Sequence, residues 1–365
     1  MCLHDAASDA ASDAFVRIVV TGGAGFIGSH VVDLLVVEGH DVIVVDALLP
    51  KAHAERPPYL NERATYVEAD LRDRDALEEA VAGADAVSHQ ASLVGLGESW
   101  LDVTDYVAHN DLGTASLLGC LHASGFSGRL VLASSMVVYG EGRYRCEADG
   151  LVRPAPRSEA NLDDGRFEPL CPRCGHTLIA EAVREDLPVD PRNVYAATKL
   201  HQEHLCELFG RATSSSVAWL RYHNVYGPRM PRDTPYAGVA SIFRSALERG
   251  EAPQVFEDGR QLRDFVHVED VARANLAALA APHARGAFNI STGRPRSVHD
   301  MAGALSAVFQ ATSPPDVTGR WRLGDVRHVF GSPTKAEREL DWRAAMDFDA
   351  GMRDFATQPL RAASS

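Results

Sequence analysis

The chain has 365 residues, 45% of them hydrophobic and 24% charged, enough to bury a full core and long enough for two domains. With 50 acidic against 36 basic residues its formal net charge is −14, which argues against nucleic acid or an anionic membrane surface as the main partner. No apolar run is long enough to span a bilayer, the first residues lack the basic and apolar regions of a signal peptide, and 6 cysteines in such a chain do not make a disulfide framework, so the expected compartment is the cytoplasm.

Residues 1–14 repeat Ala-Ser-Asp and read as a disordered tail. The first strand is the β-branched run Val16–Thr21. It leads into Gly22-Gly-Ala-Gly25-Phe26-Ile27-Gly28, then an apolar-periodic helix from Ser29 to Glu38 closed by Gly39, then a second strand from Asp41 to Asp46. Strand, glycine turn, helix, strand and acid form a dinucleotide-binding βαβ unit. Glycines let the backbone approach a pyrophosphate, whose charge a helix N-terminus favours. Asp46 would accept bonds from ribose hydroxyls and repel a 2′-phosphate, and no Arg or Lys immediately follows it, so NAD is expected rather than NADP.

The G-x-x-G-x-x-G spacing resembles that of the extended short-chain dehydrogenase/reductases, the group of nucleotide-sugar epimerases and dehydratases. That resemblance implies cofactor contacts from Gly22, Gly25, Phe26, Ile27, Gly28 and Asp46. Tyr66–Asp73 resembles the strand-end turn whose Asp70 and Leu71 hold the adenine. Val87–Ser92 resembles the fourth-strand segment beside the cofactor, with Gln90, Ala91 and Ser92 as contacts. Asn110–Thr114 resembles a helix motif with a structural Asn.

Leu130–Gly140 reads as a fifth strand running into a site loop. By the same resemblance Ser135, four residues before Tyr139, is the catalytic hydroxyl. Related dehydratases carry Asp-Glu at the next two positions; Met136 and Val137 cannot move protons, so dehydration lacks its acid and base. Asn193-Val-Tyr195-Ala-Ala-Thr-Lys199 opens a helix expected to run to about Phe209, where Gly210 stops it. Tyr195 and Lys199 then share one helix face, one turn apart. An ammonium beside a phenol favours the phenolate, which can take a proton from a sugar hydroxyl and return it. In the family this pair also contacts the cofactor.

Residues 141–191 are rich in Arg, Asp, Pro and Gly with little periodicity, an insertion in loop territory without its own core. They contain Cys146 and Cys171-Pro-Arg-Cys174-Gly-His176. C-P-x-C-G is a zinc-knuckle turn, Cys146 is a candidate third ligand, and Asp149 or His176 a candidate fourth. A redox pair and a zinc site decayed to free thiols are the competing readings.

Val217–Tyr222 is a sixth strand, and His223–Arg229 resembles the family's "LRYxNVYGPR" turn. That match places Tyr222 to Val225 along the nicotinamide and Asn224 on the substrate, with His223 a packed histidine. Phe256–Val271 resembles the "DGxQxRDFxxVxD" block, which makes Arg263 a phosphate ligand and leaves Asp264, His267 and Asp270 to fix the fold. Arg322-Leu-Gly-Asp325 resembles "RxGD", with Arg322 on the diphosphate and Asp325 on the nucleotide ribose; Thr334–Trp342 is the closing helix.

The resemblance covers about residues 15–355 and implies an α/β architecture: a doubly wound parallel Rossmann sheet with a smaller C-terminal lobe. Residues 15–221 would be the NAD-binding domain and 222–365 mostly the substrate lobe, with about 265–295 returning to the first. The implied activity is nucleotide-sugar 4-epimerisation, most like that of family members acting on dTDP-L-rhamnose, whose C-P-x-C-G insertion and Arg229–Tyr236 segment this chain shares. A dehydrogenase or reductase with net redox change would use the same triad, and a non-enzymatic nucleotide-binding relative is the third reading. The resemblance also implies a homodimer built on a four-helix bundle.

Overall fold

The structure is a computed structural model that describes residues 16–95, 100–232 and 238–361. The 1–14 tail and residues 233–236 of the Arg229–Tyr236 segment lie outside the described residues.

Seven parallel strands form the central sheet: β1 (Arg17–Thr21), β2 (Asp41–Asp46), β3 (Thr65–Glu68), β4 (Ala86–His89), β5 (Arg129–Ser135), β6 (Ser216–Tyr222) and β7 (Gly286–Ile290). Their spatial order is β3-β2-β1-β4-β5-β6-β7. The direction of winding reverses between β1 and β4, which opens a crevice at the carboxyl ends of the strands.

The strands are apolar runs because helices cover both faces. On one face lie α1 (Phe26–Val37) and a later helix, 268–280, whose Val31, Leu35, Val271 and Ala278 share a core with Val20 and Val44. On the other lie α2 (Arg74–Val81), α3 (103–123) and α4 (Val194–Ala212), contributing Leu77, Leu117, Leu121, Cys206 and Phe209. Each Val, Leu or Phe among them contributes about 1.5–3 kcal/mol on burial. We label the 268–280 helix α5.

Two helix bounds differ from expectation. Helix α1 begins at Phe26, not Ser29, because Gly25 is already its N-cap. Helix α4 runs past Gly210 to Ala212. Gly210 does not stop it; a Cβ there would lie 2.7 Å from Val217 Cγ2, so the glycine lets helix and β6 approach.

Residues 141–191 are more ordered than their composition suggested. Strands Arg143–Cys146, Gly150–Val152 and Ile179–Glu181 form an antiparallel sheet, with a short helix at Glu159–Asp163. A small core of Tyr144, Cys146, Cys171 and Leu178 closes it. The core was missed because single apolar residues, widely spaced, supply it.

A further core of Phe243, Leu247, Met301, Leu305, Met352 and Phe355 unites helices Val239–Glu248, Val298–Val308 and Phe348–Thr357. The Asp264 carboxylate accepts from Thr292 N and Gly293 N at 2.7 and 2.9 Å, and Asp270 accepts from Ala345 N and Met346 N at 2.9 and 3.0 Å. His267 pairs with Asp354 at 3.0 Å. These three residues tie loops to the α5 segment.

Candidate active site

Every residue expected to contact the dinucleotide lines one groove of ≈ 420 Å³ across the crevice: the Gly22–Gly28 turn, Asp46, Asp70, Leu71, Gln90, Ala91, Ser92, Tyr195, Lys199, Tyr222 and Val225. The turn is shaped for close approach. Gly22 has φ +69°, and a Cβ there would lie 2.6 Å from the Ala91 backbone. A Cβ on Gly28 would lie 2.2 Å from Gly22 O. No side chain caps α1, so its first N–H groups face the groove. At the far end the Asp46 carboxylate accepts from Ala24 N and Leu48 N, both at 2.9 Å. Asp70 is gripped by Arg72 at 2.8 and 2.7 Å, which holds its carboxyl below the usual range.

The floor is a hydrogen-bond network. Tyr222 donates to Gln90 Oε1 at 3.1 Å and accepts from Asn275 Nδ2 at 2.8 Å, while Gln90 Nε2 donates to Ser88 and Asn275 at 2.9 Å. Beneath it, His89 lies between Thr21 (2.7 Å) and Thr114 (2.9 Å). Thr114 gives its own proton to Asn110 O at 2.6 Å, so His89 Nε2 is the donor to Thr114 and Nδ1 accepts from Thr21. Burial lowers the His89 pKa to about 3, so the ring stays neutral. Asn110 sits in a π-helical stretch of α3, Val107–Leu112, and brackets Leu93 through both its N–H and carbonyl at 2.7 and 3.0 Å.

Ser135 ends β5 and is paired in register with Tyr222 of β6. Its hydroxyl lies close enough to the Tyr195 phenol to favour the phenolate. Asn193 caps α4 by accepting from Ala196 N at 2.8 Å, which fixes the first turn that carries Tyr195. Lys199 Nζ lies 5.9 Å from the Tyr195 ring centroid and donates to Ala133 O at 2.9 Å. The expected net acidity of the phenol is reversed here: burial pushes Tyr195 up, and the neighbouring Ser135 hydroxyl only partly offsets it. The same burial lowers Lys199 to about 7, against the pull of Glu203 and Asp111.

Sequence reasoning missed Glu203, although it continues the Tyr195–Lys199 spacing by one further turn. Glu203 and Arg221 form a buried two-point pair at 2.9 and 2.7 Å, and Ser134 donates to the same carboxylate. Arg221 also donates to Tyr139 at 3.0 Å, and Tyr139 donates to Asn289 of β7 at 2.7 Å. This chain of bonds locks α4 against β5, β6 and β7. Asn275, His53 and Arg361, the last two lining the groove, were missed because no local motif marks them.

The substrate candidates separate. Asn224 lines the groove, and its buried Oδ1 has no hydrogen-bond partner among the described residues. Arg263, Arg322 and Asp325 lie outside the groove lining. Arg263 donates to Leu262 O, Arg327 O and Val326 O at 2.8, 2.9 and 2.7 Å. Arg322 lies over the Phe256 ring at 5.1 Å, and burial raises the Asp325 pKa. His223 is buried. The cysteine candidates meet in the insertion, where Cys146, Asp149, Cys171 and Cys174 place their ligand atoms within 4.8 Å of one another; His176 stands outside that group.

The sequence model of the "NAD dependent epimerase/dehydratase family" matches residues 18–159 and 173–291. A dTDP-L-rhamnose 4-epimerase of Burkholderia thailandensis is 34% identical over 93% of this chain and 94% of its own. The crystal structure of the Thermotoga maritima UDP-glucose 4-epimerase with UDP-glucose superposes with TM-score 0.76 at 30% identity, covering 93% of this chain and 97% of that one. The Thermus thermophilus UDP-glucose 4-epimerase, solved with NAD, gives TM-score 0.73 at 28% identity, covering 93% and 98%.

Proposed function

The chain belongs to the NAD-dependent epimerase/dehydratase family, and on that premise we propose that it is a nucleotide-sugar 4-epimerase that keeps NAD in the groove. The observation that carries the reading is that Tyr195 and Lys199 line the groove, with Ser135 beside the Tyr195 phenol, opposite a turn where Gly22 and Gly28 leave no room for a Cβ. The residues fit a dinucleotide: the glycine cradle and the uncapped α1 terminus would receive the pyrophosphate, and Asp46 the adenosine ribose. When bound, NAD supplies a hydride acceptor and a positively charged ring.

Tyr195 would take the proton of the C4 hydroxyl, and Ser135 would hold the same oxygen. Burial alone disfavours the phenolate, so positive charge in the groove, from the Lys199 ammonium and the oxidised ring, is what brings the phenol into range. The 4-keto sugar would then turn over, and Tyr195 would return its proton as hydride comes back to the opposite face. Asn224, with its unpaired Oδ1, would meet the substrate in the groove. Arg263, Arg322 and Asp325 would meet the nucleotide only once it extends beyond the groove. The relatives support dTDP-L-rhamnose as the first substrate to try. A second copy of the chain would cover Trp100, Leu101 and Leu208, exposed apolar residues near or on α3 and α4, and sedimentation would show twice the chain mass.

Incubation with UDP-, dTDP- and GDP-sugars without added NAD tests the function. A C4-inverted product by NMR is expected, whereas turnover only with net NADH formation would replace this reading with the dehydrogenase one.

A further inference from the structure

We propose that Cys146, Asp149, Cys171 and Cys174 form a structural zinc site of three thiolates and one carboxylate. Tetrahedral zinc with sulfur at about 2.3 Å and oxygen at about 2.1 Å requires edges of about 3.8 Å between sulfurs and about 3.6 Å between sulfur and oxygen. Cys146 Sγ lies 3.4 Å from Cys174 Sγ. Asp149 Oδ2 lies 3.6 Å from Cys146 Sγ and 3.2 Å from Cys171 Sγ. A disulfide would bring two sulfurs to about 2.05 Å, and these cysteines are free.

The backbone closes the turn as well: Cys171 N donates to His176 O at 2.8 Å. Gly175, at φ +74°, closes the Cys171–Cys174 turn with a hydrogen bond to Cys171 O at 2.9 Å. His176 thus serves through its backbone, and Asp149 takes the fourth position. Binding a dication releases thiol protons and joins the Arg143–Cys146 strand to the knuckle turn.

The site is distant in role from the sugar chemistry, but the sheet it closes carries Tyr144, whose hydroxyl accepts from His328 N at 3.1 Å. That contact braces the 326–328 segment whose carbonyls hold Arg263.

Full-length protein purified under reducing conditions without chelator should contain about one zinc per chain by elemental analysis. Metal-free protein titrated with Co²⁺ should develop thiolate-to-cobalt absorption and tetrahedral visible bands. Cys171→Ser can fail to fold, so Asp149→Asn is the sharper variant: it should keep the fold and weaken zinc in chelator competition by at least about tenfold, with His176→Ala unchanged. Absence of zinc together with no cobalt spectrum overturns the site, as does a Cys146–Cys174 disulfide found by mass spectrometry in protein kept under reducing conditions. Release of metal by His176→Ala and not by Asp149→Asn overturns the ligand assignment.

Discussion

Helix α4 and the 141–191 insertion flank one another in sequence, the insertion lying between Ser135 and Tyr195, and they are held by different forces. Helix α4 buries Cys206 and Phe209 in the core shared with α2 and α3, and a single buried ion pair, Glu203 with Arg221, sets its register against β6. The insertion has a small apolar core of its own, packs Val183, Leu187 and Val189 against Val138 and Tyr139, and adds buried charge. Arg327, 0% exposed, meets Glu168 of the insertion at 2.6 Å and Glu257 and Asp258 at 2.8 and 2.7 Å. Arg157 of the insertion reaches Glu257 at 2.9 Å, and His328 reaches Glu168 at 2.8 Å. The lesson is a division of labour: packing fixes the helix that carries Tyr195 and Lys199, and ionic contacts tie the insertion to the C-terminal half of the chain.

Tyr195→Phe breaks the comparison on the chemical side. It should lower kcat about 10²–10⁴-fold and leave thermal stability nearly unchanged, since only the hydroxyl beside Ser135 is lost. Turnover within threefold of wild type would remove Tyr195 from the chemistry.

Arg327→Met strikes the other region. It removes the cation shared by Glu168, Glu257 and Asp258, leaving Arg157 on Glu257 and His328 on Glu168, and should cost about 3–5 kcal/mol in urea unfolding. A loss below about 1 kcal/mol would mean that the insertion is held by something other than charge.

A pH series on dinucleotide-free protein gives the smallest effect. Lys199 falls from its ordinary value of 10.5 to about 7 on burial, so the unfolded chain binds more protons between those values. The resulting penalty is fully present below pH 7 and fades as pH rises toward 10.5. Lys199→Met should therefore be more stable than wild type at pH 6, with the two melting temperatures converging in alkali. Parallel curves would show that the ammonium is not desolvated.

The sheet, the glycine turn and the α4 face were legible because each is a local periodic pattern: β-branched runs, a glycine spacing and an i, i+4 pair. The family and the parallel α/β fold followed from them. What local spacing could not show was long-range. Asn275 joins Gln90 and Tyr222 from far along the chain, and only in three dimensions does Asp149, and not His176, gather with Cys146, Cys171 and Cys174. The sign of the Tyr195 shift was misjudged because spacing reports the neighbouring ammonium and not the depth of burial.

The central claim is hydride removal from and return to the same carbon, with Tyr195 as the proton carrier. It is tested most directly with the accepted nucleotide sugar deuterated at C4. Retention of deuterium in the inverted product, with none gained from D₂O by unlabelled substrate, is the predicted result; loss of the label to solvent would contradict it.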